Sequence, residues 1–200
     1  MKGVLALAQS ESWILGSGSP RRRQYFEKFG LSFSVQSHNL DEEQLASGVA
    51  PEKLAVFLAR EKAESLKKLY PEDPRPLLCA DTTVLLDGKI LGQPRDVREA
   101  SGFLKALSGR THEVITGLCV KRNKKTVVRH EISKVKFSKL EPELIDFYLS
   151  TDEWMGVAGG YRIQESGEIL VKEIHGSFSN VVGLPIRVFY EILATIYADT

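Results

Sequence analysis

At 200 residues, with 42% apolar and 26% charged side chains, the chain has the size and make-up of one globular domain with a buried core. No apolar run approaches the roughly 20 residues that cross a bilayer, and a formal net charge of +1 leaves no general basic excess for a nucleic-acid surface. Any polyanion must therefore meet a local cluster. Cys79 and Cys119 are the two cysteines, in neither a C-x-x-C nor a Cys/His metal spacing, so a disulfide framework or zinc site has no support and a reducing compartment is expected.

The opening stretch from Met1 to Ser12 holds a short apolar patch, Val4 to Ala8, too little for a secretory signal. Trp13 to Gly16 reads as a short strand running into Ser17-Gly18-Ser19, and Pro20 opens a helix with Ser19 as its cap. With Arg21, Arg22 and Arg23 this corner brings hydroxyls, helix N-terminal amides and guanidinium groups together, the chemistry of an anion site. A plain capped helix with solvated arginines is the alternative. No Gly-Lys-Ser/Thr follows and the third glycine of a dinucleotide fingerprint is missing, so neither an ATPase nor a dehydrogenase is indicated.

Phe33 to Ser37 alternates as a strand, and the acidic run Asp41-Glu42-Glu43 follows in a loop. Pro51 to Tyr70 reads as a helix with Leu54, Leu58, Ser65, Leu66 and Leu69 on one face. Lys62 falls inside that face. Either its stem lies on the core while the ammonium reaches water, or the face borders a cleft that holds an anion. Tyr70 to Pro76 is an exposed loop.

Leu77 to Ala80 and Thr83 to Leu86 read as two strands, leaving Asp81 and Thr82 where one ends and the next begins. An aspartate there either ligates a hard cation or accepts a proton from water, or simply fixes a corner. Asp87-Gly88 is a tight turn into Lys89 to Leu91. Asp96 with Glu99 is a capping box for a helix ending before Gly109. Ser108 to His112 connects that helix to a strand.

Glu113 to Lys121 and Thr126 to Phe137 form a long antiparallel pair around Lys121-Arg122-Asn123-Lys124-Lys125, a solvated hairpin tip. Pro142 to Leu149 is a short helix, Gly159 to Gln164 and Ile169 to Ile174 are strands, and Leu184 to Ala198 is a closing helix. Within Gly159 to Gln164, Tyr161 and Gln164 offer an aromatic and an amide to a base edge. The four histidines show no ligand spacing and read as structural. Strands and helices intermix with hairpins, which predicts a mixed α/β sheet flanked by helices.

Taken together, Ser17-Gly18-Ser19-Pro20-Arg21-Arg22-Arg23, Leu58-Ala59-Arg60-Glu61-Lys62-Ala63, Ala80-Asp81-Thr82, Leu91 to Asp96, Ser108 to His112 and Val182-Gly183-Leu184-Pro185 resemble the Maf family of nucleoside triphosphate pyrophosphatases, once described through septum formation. The resemblance spans residues 13 to 193. It implies a strongly twisted mixed sheet like that of inosine triphosphate pyrophosphatases, a cytoplasmic homodimer, a divalent cation (Mg²⁺ or Mn²⁺), attack of water on the α-phosphorus, and cell-division partners. Carried over by motif, Asp81 accepts the proton of that water, Ser17, Ser19, Arg21 and Arg22 hold phosphate oxygens, and Lys62 reaches the same triphosphate. Asp41, Glu42 and Asp81 serve the metal, while Thr82 and Gln164, with Arg21, match positions that tune base choice.

Ala80-Asp81-Thr82, Arg110-Thr111-His112 and Tyr161 to Gln164 look like the branch acting on dTTP and UTP. Gln93 and Val157 stand where the family usually has lysine, and Arg162-Ile163-Gln164-Glu165 where it usually reads Gly-Ile-Gln-Gly. The alternatives are a pyrophosphatase of 7-methyl-GTP or non-standard nucleotides, and a nucleotide-binding regulator of cell division.

Overall fold

The computed structural model describes residues 3–198, so Met1 and Lys2 of the opening stretch lie outside it. The apolar patch near the start forms a helix, α1 (Val4–Gln9), which the indole N–H of Trp13 anchors by donating to the Ala8 carbonyl at 2.9 Å. It leads into β1 (Ser12–Leu15), α2 (Pro20–Lys28), β2 (Ser32–Val35) and the short α3 (Glu42–Ala46). A 3₁₀ turn at Pro51–Lys53 precedes α4 (Leu54–Leu69). The chain continues through β3 (Leu77–Leu86), β4 (Lys89–Leu91), α5 (Val97–Leu107), the long hairpin of β5 (Thr111–Arg122) and β6 (Lys125–Phe137), and α6 (Pro142–Leu149). Two 3₁₀ turns, Ala158–Gly160 and Ser166–Leu170, lead to β7 (Val171–His175), α7 (Phe178–Val182) and α8 (Ile186–Ile196).

The strands form one seven-stranded sheet in the order β2-β1-β3-β5-β6-β7, with β4 also on β3. β1 runs parallel to β2 and β3, because α2 returns the chain to the same end of the sheet; the remaining pairs are antiparallel. This is the expected mixed sheet flanked by helices. Trp13, Ile14 and Leu15 are all buried, as a strand covered on both faces requires.

Alternation along β3 divides the core between the two faces. Leu78, Ala80, Val84 and Leu86 face the larger apolar clusters under α8 and α5, while Leu77, Cys79 and Leu85 face α4. α4 lies close to the sheet because Ala55, Ala59 and Ala63 alternate with Leu58 and Leu66 on its buried side. Gly117 of β5 makes room for it: a Cβ there would sit 2.5 Å from the Ala55 carbonyl oxygen. Leu69, placed on this face by periodicity, is exposed at the last residue of the helix.

Four other expectations change. Leu77–Leu86 is one continuous strand, so Asp81 sits in its middle and not at a strand end. Gly159 to Gln164 is not a strand, since Gly159 and Gly160 adopt φ of +74° and +68°, a left-handed path that extended backbone excludes. At the basic hairpin only the tip is solvated: Lys121 pairs with Glu64 and Arg122 with Glu11, both at 2.7 Å, and Arg122 covers the Tyr197 ring. The Asp96 cap forms, but the Glu99 carboxylate accepts from the Arg95 amide and guanidinium in place of the Asp96 amide.

Gly117→Ala should push α4 off the sheet and destabilise the fold by about 1–3 kcal/mol, a fall of roughly 3–10 °C in melting temperature. Thermal unfolding by circular dichroism measures it; an unchanged Tm would mean that the helix accommodates the methyl without moving.

Candidate active site

β5 pairs with one edge of β3 along nearly its whole length. The other edge is shared: β1 pairs at Leu77 and Leu78, β4 pairs from Val84 to Leu86, and residues 79–83 between them have no strand partner on that side. After Gly16, whose amide donates to the Leu78 carbonyl, the chain leaves the sheet through Ser17-Gly18-Ser19 into α2. The side chain of Arg22 comes back into the opening. Its Nη1 donates to the Ala80 carbonyl and to Ser17 Oγ, both at 2.9 Å, Nη2 to Thr82 Oγ1 at 3.0 Å, and Nε to the Gly183 carbonyl at 2.8 Å. Arg22 thus occupies the place of a neighbouring strand, with four of its five N–H groups bound inside the protein.

Arg21 is arranged differently. Its Nε donates to the Val182 carbonyl at 3.2 Å, and among the described residues its two Nη groups make no hydrogen bond. Burial first, then Arg22 and Arg162, bring its pKa down to about 10. Ser19 stands at the cap of α2, yet its hydroxyl makes no capping bond; Ser17 Oγ accepts from the Ser19 amide instead. Ser17 to Arg22, the loop and first turn of α2, line the cavity, and the first-turn amides of a helix have no partner within that helix.

Asp81 and Thr82 point to opposite faces of β3, and both reach the cavity because this edge is open. On the α4 face, Lys62 is buried, and its Nζ lies 2.7 Å from Asp81 Oδ1 and 2.8 Å from Glu42 Oε2. That excludes the reading in which the ammonium reaches water. Burial raises the Asp81 pKa, and Lys62 followed by Arg22 opposes the rise. His38, read as structural, stands behind Glu42 at 3.4 Å; burial and then Lys62 hold its pKa below the ordinary value. On the other face, Thr82 Oγ1 shares a 2.9 Å hydrogen bond with Thr116.

A cavity of about 520 Å³ gathers Ser17, Ser19, Arg21, Arg22, Glu42, Lys62, Asp81, Thr82 and Gln164. Asp41 is the exception: it is exposed and caps α3, its Oδ1 accepting the Gln44 amide at 3.0 Å. The adjacent residue, on the first turn of that helix, carries the carboxylate inward. The sequence gives no role to Val182 and Gly183, whose carbonyls hold the two arginines, although Val182-Gly183-Leu184-Pro185 is one of the stretches that carry the family resemblance. It also gives none to Met155, Gly156 and Ala158, which line the cavity beside Val157 and Tyr161. Here Tyr161 hydrogen-bonds His112 Nε2 at 2.7 Å, with both rings edge-on to Phe137.

A family model described as Maf-like protein matches residues 12–196. The chain belongs to the Maf-like protein family. A dTTP/UTP pyrophosphatase of Pyrococcus furiosus is 45% identical to it over 90% of this chain and 93% of its own length. One of Porphyromonas gingivalis is 41% identical over 90% and 92%, and one of a Ruegeria species 40% over 94% and 98%. Among solved structures, the Staphylococcus aureus Ham1 protein aligns over 92% of this chain and 99% of its own, at a TM-score of 0.49 and 11% identity.

Two outcomes follow from this Maf-like site. Arg22→Lys leaves buried carbonyls and hydroxyls without donors and should cost about 2–4 kcal/mol, whereas Arg21→Lys should leave the melting temperature within about 2 °C. Equal effects of the two in differential scanning fluorimetry would contradict this division. The second concerns His112, whose pKa burial lowers to about 4 from an ordinary 6.5. Below pH 6.5 the unfolded chain takes up a proton that the folded chain refuses until about pH 4, so stability falls as pH drops across that window. His112→Gln lacks this contribution, and the stability gap between parent and variant should narrow by about 2–3 kcal/mol between pH 7.5 and pH 4.5 in urea unfolding. Parallel pH profiles would mean that the folded protein protonates His112.

Proposed function

We propose that this Maf-like chain hydrolyses dTTP and UTP to the monophosphate and pyrophosphate, by attack of water on the α-phosphorus. The observation that carries the reading is the convergence, in one cavity, of the α2 N-terminus with Arg21 and the buried Lys62, which is paired with Asp81 and with the more exposed Glu42. Phosphate is bound by helix amides and arginine forks, and a carboxylate of raised pKa suits a proton acceptor. The named activities of the relatives, at about 40–45% identity over most of the chain, support the same substrates.

In this mechanism the triphosphate lies across the opening in β3, its oxygens on the α2 amides, Ser19 and the Arg21 fork. Arg22 keeps Ser17, Thr82 and Gly183 in register beneath it. Asp81 receives the proton of the attacking water; burial raises its pKa, and Lys62 followed by Arg22 counters that rise. Charges held in place within a poorly hydrated site need no rearrangement as negative charge shifts onto the leaving oxygens, which is how electrostatic positioning lowers the barrier. Thr82 and Gln164 are the groups assigned to the base.

Glu42 and Asp81 also have the donor chemistry for Mg²⁺ or Mn²⁺. Such ions take one or two carboxylates and complete their shell with water and substrate phosphates. Among the described residues no group of three or more acidic, histidine or cysteine side chains forms a metal cluster, and these two carboxylates share one ammonium. That set fits a cation completed by the nucleotide's own oxygens, held by Glu42 and Asp81 and without Asp41. Bound there, the ion would draw charge from the phosphate and acidify a water.

The same reading makes residues 1 to 200 a single functional domain, working in the cytoplasm as a homodimer, with septum-linked partners as a further expectation. Cys79 and Cys119, adjacent across β3 and β5 and both free thiols, are compatible with a reducing compartment. Among the described residues no helix is long and apolar enough to cross a membrane.

The test is incubation of the purified protein with dTTP, UTP, 7-methyl-GTP or ITP and Mg²⁺ or Mn²⁺, identifying the products. Pyrophosphate is expected from dTTP and UTP, with none after chelation of the metal; orthophosphate alone would mean that another bond is cut. Asp81→Asn should lower kcat by about 10²–10⁴-fold and change KM by no more than about threefold. Full activity in that variant removes Asp81 from the chemistry.

A further inference from the structure

Besides the arginines of α2, the cavity is lined by a further cation, Arg162. Arg162 lies just beyond the left-handed Gly159–Gly160 turn, and its main chain is held on two sides. Its amide donates to Tyr148 Oη at 3.0 Å, and Gly167 packs so closely that a Cβ there would lie 2.4 Å from the Arg162 carbonyl oxygen. The guanidinium is far less satisfied. Nη2 donates to the Met155 carbonyl at 3.1 Å, Nη1 lies 3.9 Å from Glu165 Oε2, outside hydrogen-bond distance, and Nε is buried without a partner. A rigid backbone carrying a cation with open donors is the arrangement of a ligand-binding group.

Its neighbours indicate which part of a ligand it meets. The charges that act on Asp81 are Lys62, Arg22 and Glu42, whereas those that act on Arg21 are Arg22, Arg162 and Glu165. Arg22 bonds to Ala80 and Thr82 on either side of Asp81, whereas Arg21 bonds to Val182 and Arg162 to Met155, so Arg162 is a neighbour of Arg21 rather than of the reacting carboxylate. Arg21 and Arg162 are like charges lining one cavity, with Glu165 as the anion beside them. A neutral pyrimidine offers them carbonyl oxygens but no charge. Two terminal phosphates offer several negative charges and oxygens spaced for paired guanidinium contacts.

We infer that Arg162, together with Arg21, binds the terminal phosphates that depart as pyrophosphate, and that Glu165 is the counter-ion these phosphates displace. The inference rests on the pyrophosphatase reading for its substrate. It assigns a binding role to an arginine that stands where the resemblance leads one to expect glycine, and it gives the cavity a cation where Gln93, also in its lining, supplies none.

The test pairs calorimetric binding of inorganic pyrophosphate and tripolyphosphate with steady-state kinetics on dTTP and UTP. Arg162→Met should weaken pyrophosphate binding by about tenfold or more and raise KM for both nucleotides by a similar factor, with kcat changed less than about threefold. Glu165→Gln, which releases Arg162, should tighten pyrophosphate several-fold, and Arg162→Met in the Glu165→Gln background should abolish that gain. Unchanged pyrophosphate affinity in Arg162→Met overturns the inference, as does a changed dTTP-to-UTP preference with phosphate binding intact, which would make Arg162 a base contact. Loss of affinity that Arg162→Lys does not restore in part, accompanied by a fallen Tm, also overturns it, since the role is then structural. Arg162-dependent pyrophosphate binding without turnover of either nucleotide would remove the enzymatic reading and leave this site standing; turnover indifferent to Arg162 would do the reverse.

Discussion

A strand in the interior of a sheet needs a hydrogen-bonding partner on each edge, and β3 lacks one of them over residues 79–83. The Arg22 guanidinium stands in that place, giving the Ala80 carbonyl the donor that a neighbouring strand would have supplied, and gripping Ser17, Thr82 and Gly183 with the same group. Three separate stretches of chain are thereby fixed around one opening. Because the edge is open, two consecutive residues that β geometry sends to opposite faces, Asp81 and Thr82, serve a single cavity.

The charges around the opening are arranged by burial as much as by pairing. Lys62 sits among alanines and leucines of α4, where a lone ammonium would be costly, and two carboxylates meet it there. Asp81 feels the same lack of water, which favours its protonated form, while Lys62 and Arg22 favour the ionised one. A carboxylate held between such opposing influences is suited to exchanging a proton. The close seating of α4 over Gly117, which brings Lys62 to Asp81, is therefore part of the site as well as of the core.

The two apolar clusters on the other side of the sheet are separated by a polar seam. Thr82 meets Thr116, Thr116 donates to the Asn180 carbonyl, and the Asn180 amide donates to Val114 and Ser133. Pairing inside this seam fixes the angle at which α7 lies on β5 and β6, and α7 ends at the Val182 and Gly183 carbonyls that hold the arginines. His112 and Tyr161 connect the opposite wall to β5 in the same way.

Most elements were legible in the sequence because they rest on local rules. Pro20 after Ser19 opens α2, Asp87-Gly88 turns β3 into β4, and the Pro142–Leu149 helix has the limits that its pattern predicts. Reading failed where the neighbourhood is remote. The helical α1 is too short to show a period; the Gly159–Gly160 path needed dihedral angles; Asp41 and Glu42 differ in direction only because α3 begins between them. By itself the sequence determined the order of most of the longer elements, the strand-to-helix anion corner and the misplaced lysine on an apolar face, all of them properties of side-chain type and spacing. Only the tertiary structure decided that Lys62 meets Asp81 and Glu42, that Arg22 braces the sheet while Arg21 keeps its fork open, and that Arg162 joins them. Contacts between residues about twenty to more than a hundred positions apart are set by how sheet edges and helix faces meet, and no local pattern encodes that meeting.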